Sequence, residues 1–133
     1  ASQKVYLVEG AHALSVCASF AAGSDIDAAQ VLAGFSRRME RDGFSVCECG
    51  PDADVIVRGD AGLSTAEREG SWTVDVVVEA SAFDQRSAAN LGETTVTVSE
   101  TGDRGARETE VLALKEAGRL VAVYYQSRML MSP

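Results

Sequence analysis

The sequence predicts an α+β two-layer sandwich, in which a largely antiparallel sheet of five to six strands carries two helices on one face. Much of the chain alternates apolar and polar residues with a period of two, which is typical of half-buried strands. Two segments, 26–42 and 106–129, instead repeat apolar residues at helical spacing. Because strands with one wet face are typical of antiparallel sheets, we expect both helices to pack on the other face.

Length and charge narrow the class of protein. The 133 residues fit a single domain, 1–133. Twelve Lys and Arg against 20 Asp and Glu give a net charge of −8, which repels nucleic-acid backbones. The longest uninterrupted apolar run, 120–125, is far shorter than the roughly 20 residues needed to cross a bilayer. We therefore expect neither a nucleic-acid partner nor a membrane-spanning segment in this chain.

The chain opens with two predicted strands. Residues 4–9 (KVYLVE) alternate weakly and predict an extra strand at a sheet edge. Residues 13–20 (ALSVCASF) alternate more cleanly, which places Cys17 on the face opposite the apolar residues. The pattern indicates a half-buried strand.

The first helix is predicted from its caps as well as from its apolar spacing. Ser24 or Asp25 provides an N-cap for the helix over 26–42, and Gly43 is the residue type that favours the left-handed conformation after a helix end. A strand over 44–49 (FSVCEC) follows and stops at a Gly-Pro pair.

Three further strands and a long helix complete the prediction. Residues 72–83 (WTVDVVVEASAF) carry the strongest alternation in the chain, and strands over 54–63 and 94–100 flank them. We expect exposed connections over 64–71 and 84–93. The final helix, 106–129, is apolar nearly all round in its later half.

Surplus apolar surface on that helix suggests a docking site. A helix of this kind either lies deep against the sheet or exposes apolar side chains that a partner chain can cover. We predict self-association or protein binding through the exposed apolar part of the helix, or alternatively through the sheet edge formed by 4–8. The predicted interaction surface consists of Leu120, Val123, Tyr124, Tyr125 and Met129.

Several local patterns resemble the TolB amino-terminal-domain-like fold and the middle domain of the flagellar assembly protein T. The matching pieces are RMERDGFSVCE, ADVIVRGDAGL, WTVDVVVEASAFD and the terminal helix ETEVLALKEAGRLVAVYY. The resemblance covers 13–129 and leaves the strand over 4–9 without a counterpart. It implies an envelope lipoprotein or assembly-factor fold that binds proteins, polymerises or docks at the envelope, with no shared catalytic residues.

Three cysteines leave at most one internal bridge. Cys17, Cys47 and Cys49 all fall on one predicted sheet face, and the two strands that carry them flank the first helix. A disulfide between Cys17 and one of the other two is favoured over a metal site, but three inert, half-buried thiols are the leading interpretation. A C-x-C pair on an extended strand is poorly suited to zinc, which normally uses a C-x-x-C turn.

No catalytic, cofactor or metal site is predicted. His12 is the only histidine, so a site with several histidines is excluded, and a pairing of His12 with Cys17 is less probable than a solvated loop histidine. Asp52, Asp54 and Asp60 lack the Gly and Glu spacing of a calcium loop. Arg37 and Arg38 are explained by a solvated helix face.

These observations favour a noncatalytic interaction or assembly domain of the bacterial cell envelope, which is either periplasmic or derived from a lipoprotein. In the second case the full-length protein is anchored at the outer membrane. One alternative is a small cytosolic enzyme or ligand-binding subunit with a pocket between sheet and helices, using Cys47 or Cys49. Another is a ring-forming domain of a secretion channel. The expected partners are envelope proteins or further copies of the chain, with no cofactor.

Overall fold

The computed structural model describes residues 14–131, which form one mixed sheet and two helices. The strand predicted over 4–9, the edge 4–8 and His12 lie outside the described residues. In chain order the elements are β1 (Ser15–Ala21), α1 (Asp25–Arg41), β2 (Ser45–Val46), β3 (Val55–Arg68), β4 (Ser71–Asp84), β5 (Ala89–Gly102) and α2 (Ala106–Met131). The predicted α+β class is confirmed.

The sheet has the order β2-β1-β3-β4-β5. Its larger part is the antiparallel meander of β3, β4 and β5, whereas β1 runs parallel to both β2 and β3. Antiparallel alternation was therefore the wrong expectation for β1. The physical reason is that α1 returns the chain to the starting end of the sheet before β2 begins, which is the crossover that parallel neighbours require.

The core lies between the sheet and the two helices. Strand β4 follows the predicted alternation, since Val74, Val76 and Val78 are fully buried while Asp75 and Val77 are exposed. The helices contribute the other half of the core. Their fully buried members include Val31, Phe35 and Met39 from α1 and Leu114, Val121 and Tyr125 from α2.

The two helices cross at glycines. A Cβ atom added to Gly118 would lie 2.9 Å from the backbone nitrogen of Phe35 and closer still to the carbonyl oxygen of Val31. Gly34 meets the backbone at Lys115 in the same way. Backbone atoms cannot swing aside as a flexible side chain can, so the close approach of α1 and α2 depends on these two residues.

Both connections predicted within the meander are shorter than expected. Residues 64–68 extend β3, because Glu69 (φ 53°) and Gly70 (φ 80°) form a two-residue hairpin turn with both residues in the left-handed region. Strand β5 starts at Ala89, and a register shift opposite Ala82 and Phe83 accommodates its early residues.

At the other edge of the sheet, the strand predicted over 44–49 contains only Ser45–Val46. The chain turns away after it, through the Gly50-Pro51 pair.

Candidate interaction surfaces

The predicted interaction surface is only partly available. Tyr125 and Met129 are 0% and 3% exposed, so the prediction that they form part of the surface is corrected. They point toward the sheet because the apolar stripe that faces the core runs through them. Leu120, Val123 and Tyr124 are half-buried on the flank of α2.

Tyr125 anchors α2 to the sheet through its hydroxyl. The oxygen lies 3.0 Å from the carbonyl oxygen of Ala80 on β4 and 2.9 Å from that of Gly92 on β5, both of which accept from it. Burial of the ring, together with the neighbouring Tyr124, raises the pKa of Tyr125 to about 12. The phenol is therefore a fixed structural donor.

Tyr124 lies at the margin between α2 and β5. Its hydroxyl accepts a hydrogen bond from Arg128 at 2.6 Å, and the Arg128 guanidinium lies 4.9 Å from the ring centroid. The same hydroxyl donates to the carbonyl oxygen of Glu93 at 3.5 Å. The half-buried flank of α2 thus continues onto the edge strand β5.

The structure joins Cys17 to Cys49 in a disulfide and leaves Cys47 as a half-buried free thiol. Strand β2 ends at Val46, and the following turn brings the Cα of Cys49 to 5.0 Å from that of Cys17. Because two of the three thiols are bonded to each other, they are not available as ligands or nucleophiles.

Of the three aspartates near β3 that were considered for calcium, Asp54 forms hydrogen bonds that join β3 to β1. A carboxylate oxygen of Asp54 accepts from the backbone nitrogen of Ser15 at 2.9 Å and from its hydroxyl at 3.3 Å, which fastens the start of β3 to β1. Asp52 lies in the turn before β3, and its carbonyl oxygen accepts from the Ser15 hydroxyl. Asp60 lies apart from both, on the outer face of the sheet.

Asp84 is the most buried carboxylate among the described side chains. It is 1% exposed, and its oxygens accept from the Arg86 backbone nitrogen, Nε and Nη2 at 2.8 to 3.1 Å. The hydrogen bonds and positive charge of Arg86 outweigh desolvation and lower the pKa of Asp84. This ion pair closes the turn between β4 and β5.

A shallow groove of about 600 Å³ crosses the sheet face that points away from the helices. Three carboxylates and one guanidinium line it, so its local charge is −2; we call it the acidic groove, defined by Arg58, Asp60, Glu79 and Glu93. Asp60 and Glu79 are exposed and lie directly opposite each other on β3 and β4. Exposed Val77 and Phe83 belong to the same face of β4.

A second groove, of about 480 Å³, lies between exposed residues of α1 and α2. We call it the basic groove, defined by Arg37, Arg38, Arg41, Lys115 and Arg119. Its two carboxylates, Glu100 and Glu116, leave it with a local charge of +3. The side chain of Leu112, 56% exposed, lies on its wall.

Ion pairs occupy only part of the basic groove. Arg119 pairs with Glu116 at 2.6 Å, which lowers the pKa of Glu116 through the hydrogen bonds from Arg119. Arg38 pairs with Asp42 at 2.8 Å. Within residues 14–131, no ion pair is formed by Arg37, Arg41 or Lys115.

Sequence reasoning found only fragments of these grooves. Arg37 and Arg38 stood out as a charged helix face, but nothing in the sequence pairs them with Lys115 and Arg119 of the distant helix. Spacing offers one signal, since Arg37 and Arg41, like Lys115 and Arg119, are four residues apart and share a helix face. Glu93 was assigned to a loop, whereas it lies in β5.

No protein-family model and no curated protein matches the chain. Solved structures do match. The hypothetical protein CT253 from Chlamydia trachomatis is 10% identical with a TM-score of 0.69, covering 90% of this chain and 99% of that one. A minor lipoprotein from Acinetobacter baumannii is 11% identical with a TM-score of 0.57, covering 90% and 93%.

PelC from Paraburkholderia phytofirmans, solved as a dodecamer, is 14% identical with a TM-score of 0.51, covering 79% of this chain and 85% of that one. Structures named as lipoproteins from Caulobacter crescentus and Neisseria meningitidis are similar as well. At these identities the similarity shows the fold alone: the chain has a fold that bacterial lipoproteins use. Neither described helix has a segment apolar enough to span a membrane.

Proposed function

We propose that this chain is a noncatalytic protein-interaction and assembly domain of the bacterial cell envelope that acts in the periplasm. The observation that carries the proposal is the overlap, over most of both chains, with the fold of lipoproteins and of PelC, a dodecamer. The TolB-like and flagellar-protein resemblance in the sequence agrees with this class. A lipid anchor at the outer membrane in the full-length protein belongs to the same proposal.

The disulfide supports the proposed location in the periplasm. A bridge between Cys17 and Cys49 persists in the oxidising periplasm, whereas cytosolic thiols are kept reduced. The cytosolic alternative accordingly receives less support from the structure.

The packing between the layers supports a noncatalytic role. The enzyme alternative requires a pocket between sheet and helices, and the centre of that space is filled by core side chains such as Val76, Leu114 and Tyr125. A pocket of about 560 Å³ opens at the edge, between α1 and the strands β1 and β2, where Cys47 and the bridged Cys49 line it. The acidic groove instead lies on the outer face of the sheet, and the basic groove lies between the two helices and reaches strand β5. Wide, shallow, charged grooves suit protein partners better than small substrates.

The flank of α2 is the surface we assign to partner contact. Leu120 and Val123 follow Glu116 and Arg119 by four residues each, so the half-buried apolar flank continues the wall of the basic groove. Apolar side chains beside a charged groove resemble the core and rim of a protein interface.

Site-specific crosslinking tests the proposal. A photoactivatable residue replaces Val123 in the full-length protein expressed in its native host, and cell fractions are compared after irradiation. We expect adducts of defined mass in the envelope fraction, and none from the same residue at exposed Glu67 on the β3 hairpin. A protein confined to the cytosol, or equal adducts from both positions, would contradict the proposal.

A further inference from the structure

We propose that the partner on these grooves is a second copy of the chain, whose basic groove docks onto the acidic groove of its neighbour. This inference rests on the proposed assembly function and specifies its partner. The two surfaces differ and lie on opposite layers of the sandwich. A contact between them is head-to-tail, and repetition of it produces a ring or a filament.

Electrostatic repulsion between carboxylates in the acidic groove destabilises the isolated chain. Asp60 and Glu79 are directly cross-strand neighbours, an arrangement in which like charges repel. The nearest positive charge lining the groove, Arg58, stands opposite Ser81 and forms no ion pair among the described residues. Cationic side chains from outside the chain would relieve this repulsion.

The basic groove supplies those cations. Arg37, Arg41 and Lys115 project from the two helices without an ion-pair partner within residues 14–131. The charges of +3 and −2 are complementary, although the whole chain carries −8. Local complementarity of this kind fixes the register of an interface and rejects like-charged partners.

Apolar residues and layer packing agree with the same contact. Leu112 is 56% exposed beside the basic groove, and Val77 and Phe83 are 40% and 43% exposed beside the acidic one. Helices from a neighbour would cover a sheet face that the chain's own helices leave open.

Charge reversal on each surface provides the test. Variant H replaces Arg37→Glu and Arg41→Glu, and variant S replaces Asp60→Lys and Glu79→Lys. All four side chains are exposed, and variant S keeps a like-charged pair across the strands, so both variants should fold. In sedimentation velocity up to about 1 mM, the weak end of protein affinities, we expect the wild type to associate. Each variant alone should associate at least tenfold more weakly.

Mixing the variants tests whether the basic groove of one copy contacts the acidic groove of another. In a 1:1 mixture, the acidic helices of variant H meet the basic sheet of variant S, and the wild-type surfaces meet as well. Association should therefore return to within about threefold of the wild type, and so should that of a chain carrying all four substitutions. A two-fold contact between two copies of one groove would instead be weakened in only one of the two variants, because the other variant leaves that groove unchanged.

Control variants separate the effect of charge within the grooves from the effect of net charge on association. Variants with the same change in net charge at exposed sites outside both grooves, Arg68→Glu with Arg104→Glu and Glu67→Lys with Asp103→Lys, should associate as the wild type does.

Several results would overturn the self-docking contact. These are a wild type that stays monomeric at about 1 mM, variants no weaker than their controls, and a mixture that is not restored. Vesicles of anionic lipid that bind the wild type but not variant H, while the wild type stays monomeric, would assign the basic groove to lipid instead. Envelope adducts from Val123 to a different protein, with any of these results, would leave the assembly function standing and remove only self-docking.

Discussion

Breaking the bridge between Cys17 and Cys49 should remove a large part of the stability of this domain. The disulfide closes a loop with a sequence separation of 32 residues, which includes all of α1. Loop-closure entropy for that length corresponds to about 3 to 4 kcal/mol at 25 °C. Since small domains are stable by roughly 5 to 15 kcal/mol, the reduced form should approach marginal stability.

Urea denaturation with and without reductant measures this effect. We expect the wild-type midpoint to fall by roughly 2 M urea when the bridge is reduced. The variant Cys17→Ala/Cys49→Ala should have the lowered midpoint of the reduced wild type, and reductant should not change that midpoint. Cys47→Ala should keep the wild-type midpoint and its full sensitivity to reductant, because Cys47 is the free thiol.

Two outcomes would refute this reasoning. If reductant changes the free energy of unfolding by less than about 1 kcal/mol, the bridge does not reduce the conformational entropy of the unfolded chain by the amount that loop closure predicts. If Cys47→Ala abolishes sensitivity to reductant, the bridge joins a different pair of cysteines. Mass analysis after alkylation of the unreduced, denatured wild type should detect one free thiol.

Three further predictions concern packing and pH. Gly118→Ala should destabilise by at least about 1 to 3 kcal/mol because its Cβ meets the backbone of α1, whereas Gly62→Ala, with nothing within 4 Å, should leave the thermal midpoint nearly unchanged. The pKa of Tyr125 is raised in the folded state, so stability should fall as pH rises from about 10 through about 12, and Tyr125→Phe should remove that loss in pH-dependent denaturation. The pKa of Asp84 is lowered in the folded state, so the stabilisation by its ion pair with Arg86 is present above pH 3.8 and is lost as pH falls below it. At neutral pH, Asp84→Asn should lower the free energy of unfolding by roughly 1.5 to 3 kcal/mol. If the variant and the wild type lose stability equally in acid, Asp84 is not the group responsible.

Elements controlled by local physics could be predicted from the sequence. Ser24 caps α1, with its side chain accepting from the Asp27 backbone nitrogen at 3.1 Å, and the period of two in β4 predicts its buried face correctly. Both signals depend on neighbouring residues alone. The bridge was considered only as an alternative to three inert thiols, and the partner of Cys17 was left open between Cys47 and Cys49. The choice of Cys49 depends on a turn that local patterns do not encode.

Features that depend on distant parts of the chain escaped prediction. Strand β1 lies between β2 and β3 because of a crossover, and no alternation pattern reports strand order. The hairpin turn at Glu69 and Gly70 was mistaken for part of a longer loop because the strand residues beside it are polar and exposed. The basic groove combines side chains from two helices that are more than 60 residues apart in sequence, so only tertiary structure brings them together.

The bridge also changes how the domain would respond to a pulling force. A domain held at both ends extends as its chain unravels, and each residue adds at most about 3.3 to 3.6 Å. The stretch between Cys17 and Cys49 is excluded from that extension, because the Cα atoms of the two cysteines stay 5.0 Å apart. The oxidised chain should therefore extend by roughly 110 Å less than the reduced chain. In a force spectrometer, α1 and β2 would be hidden from the load until the bridge is cut.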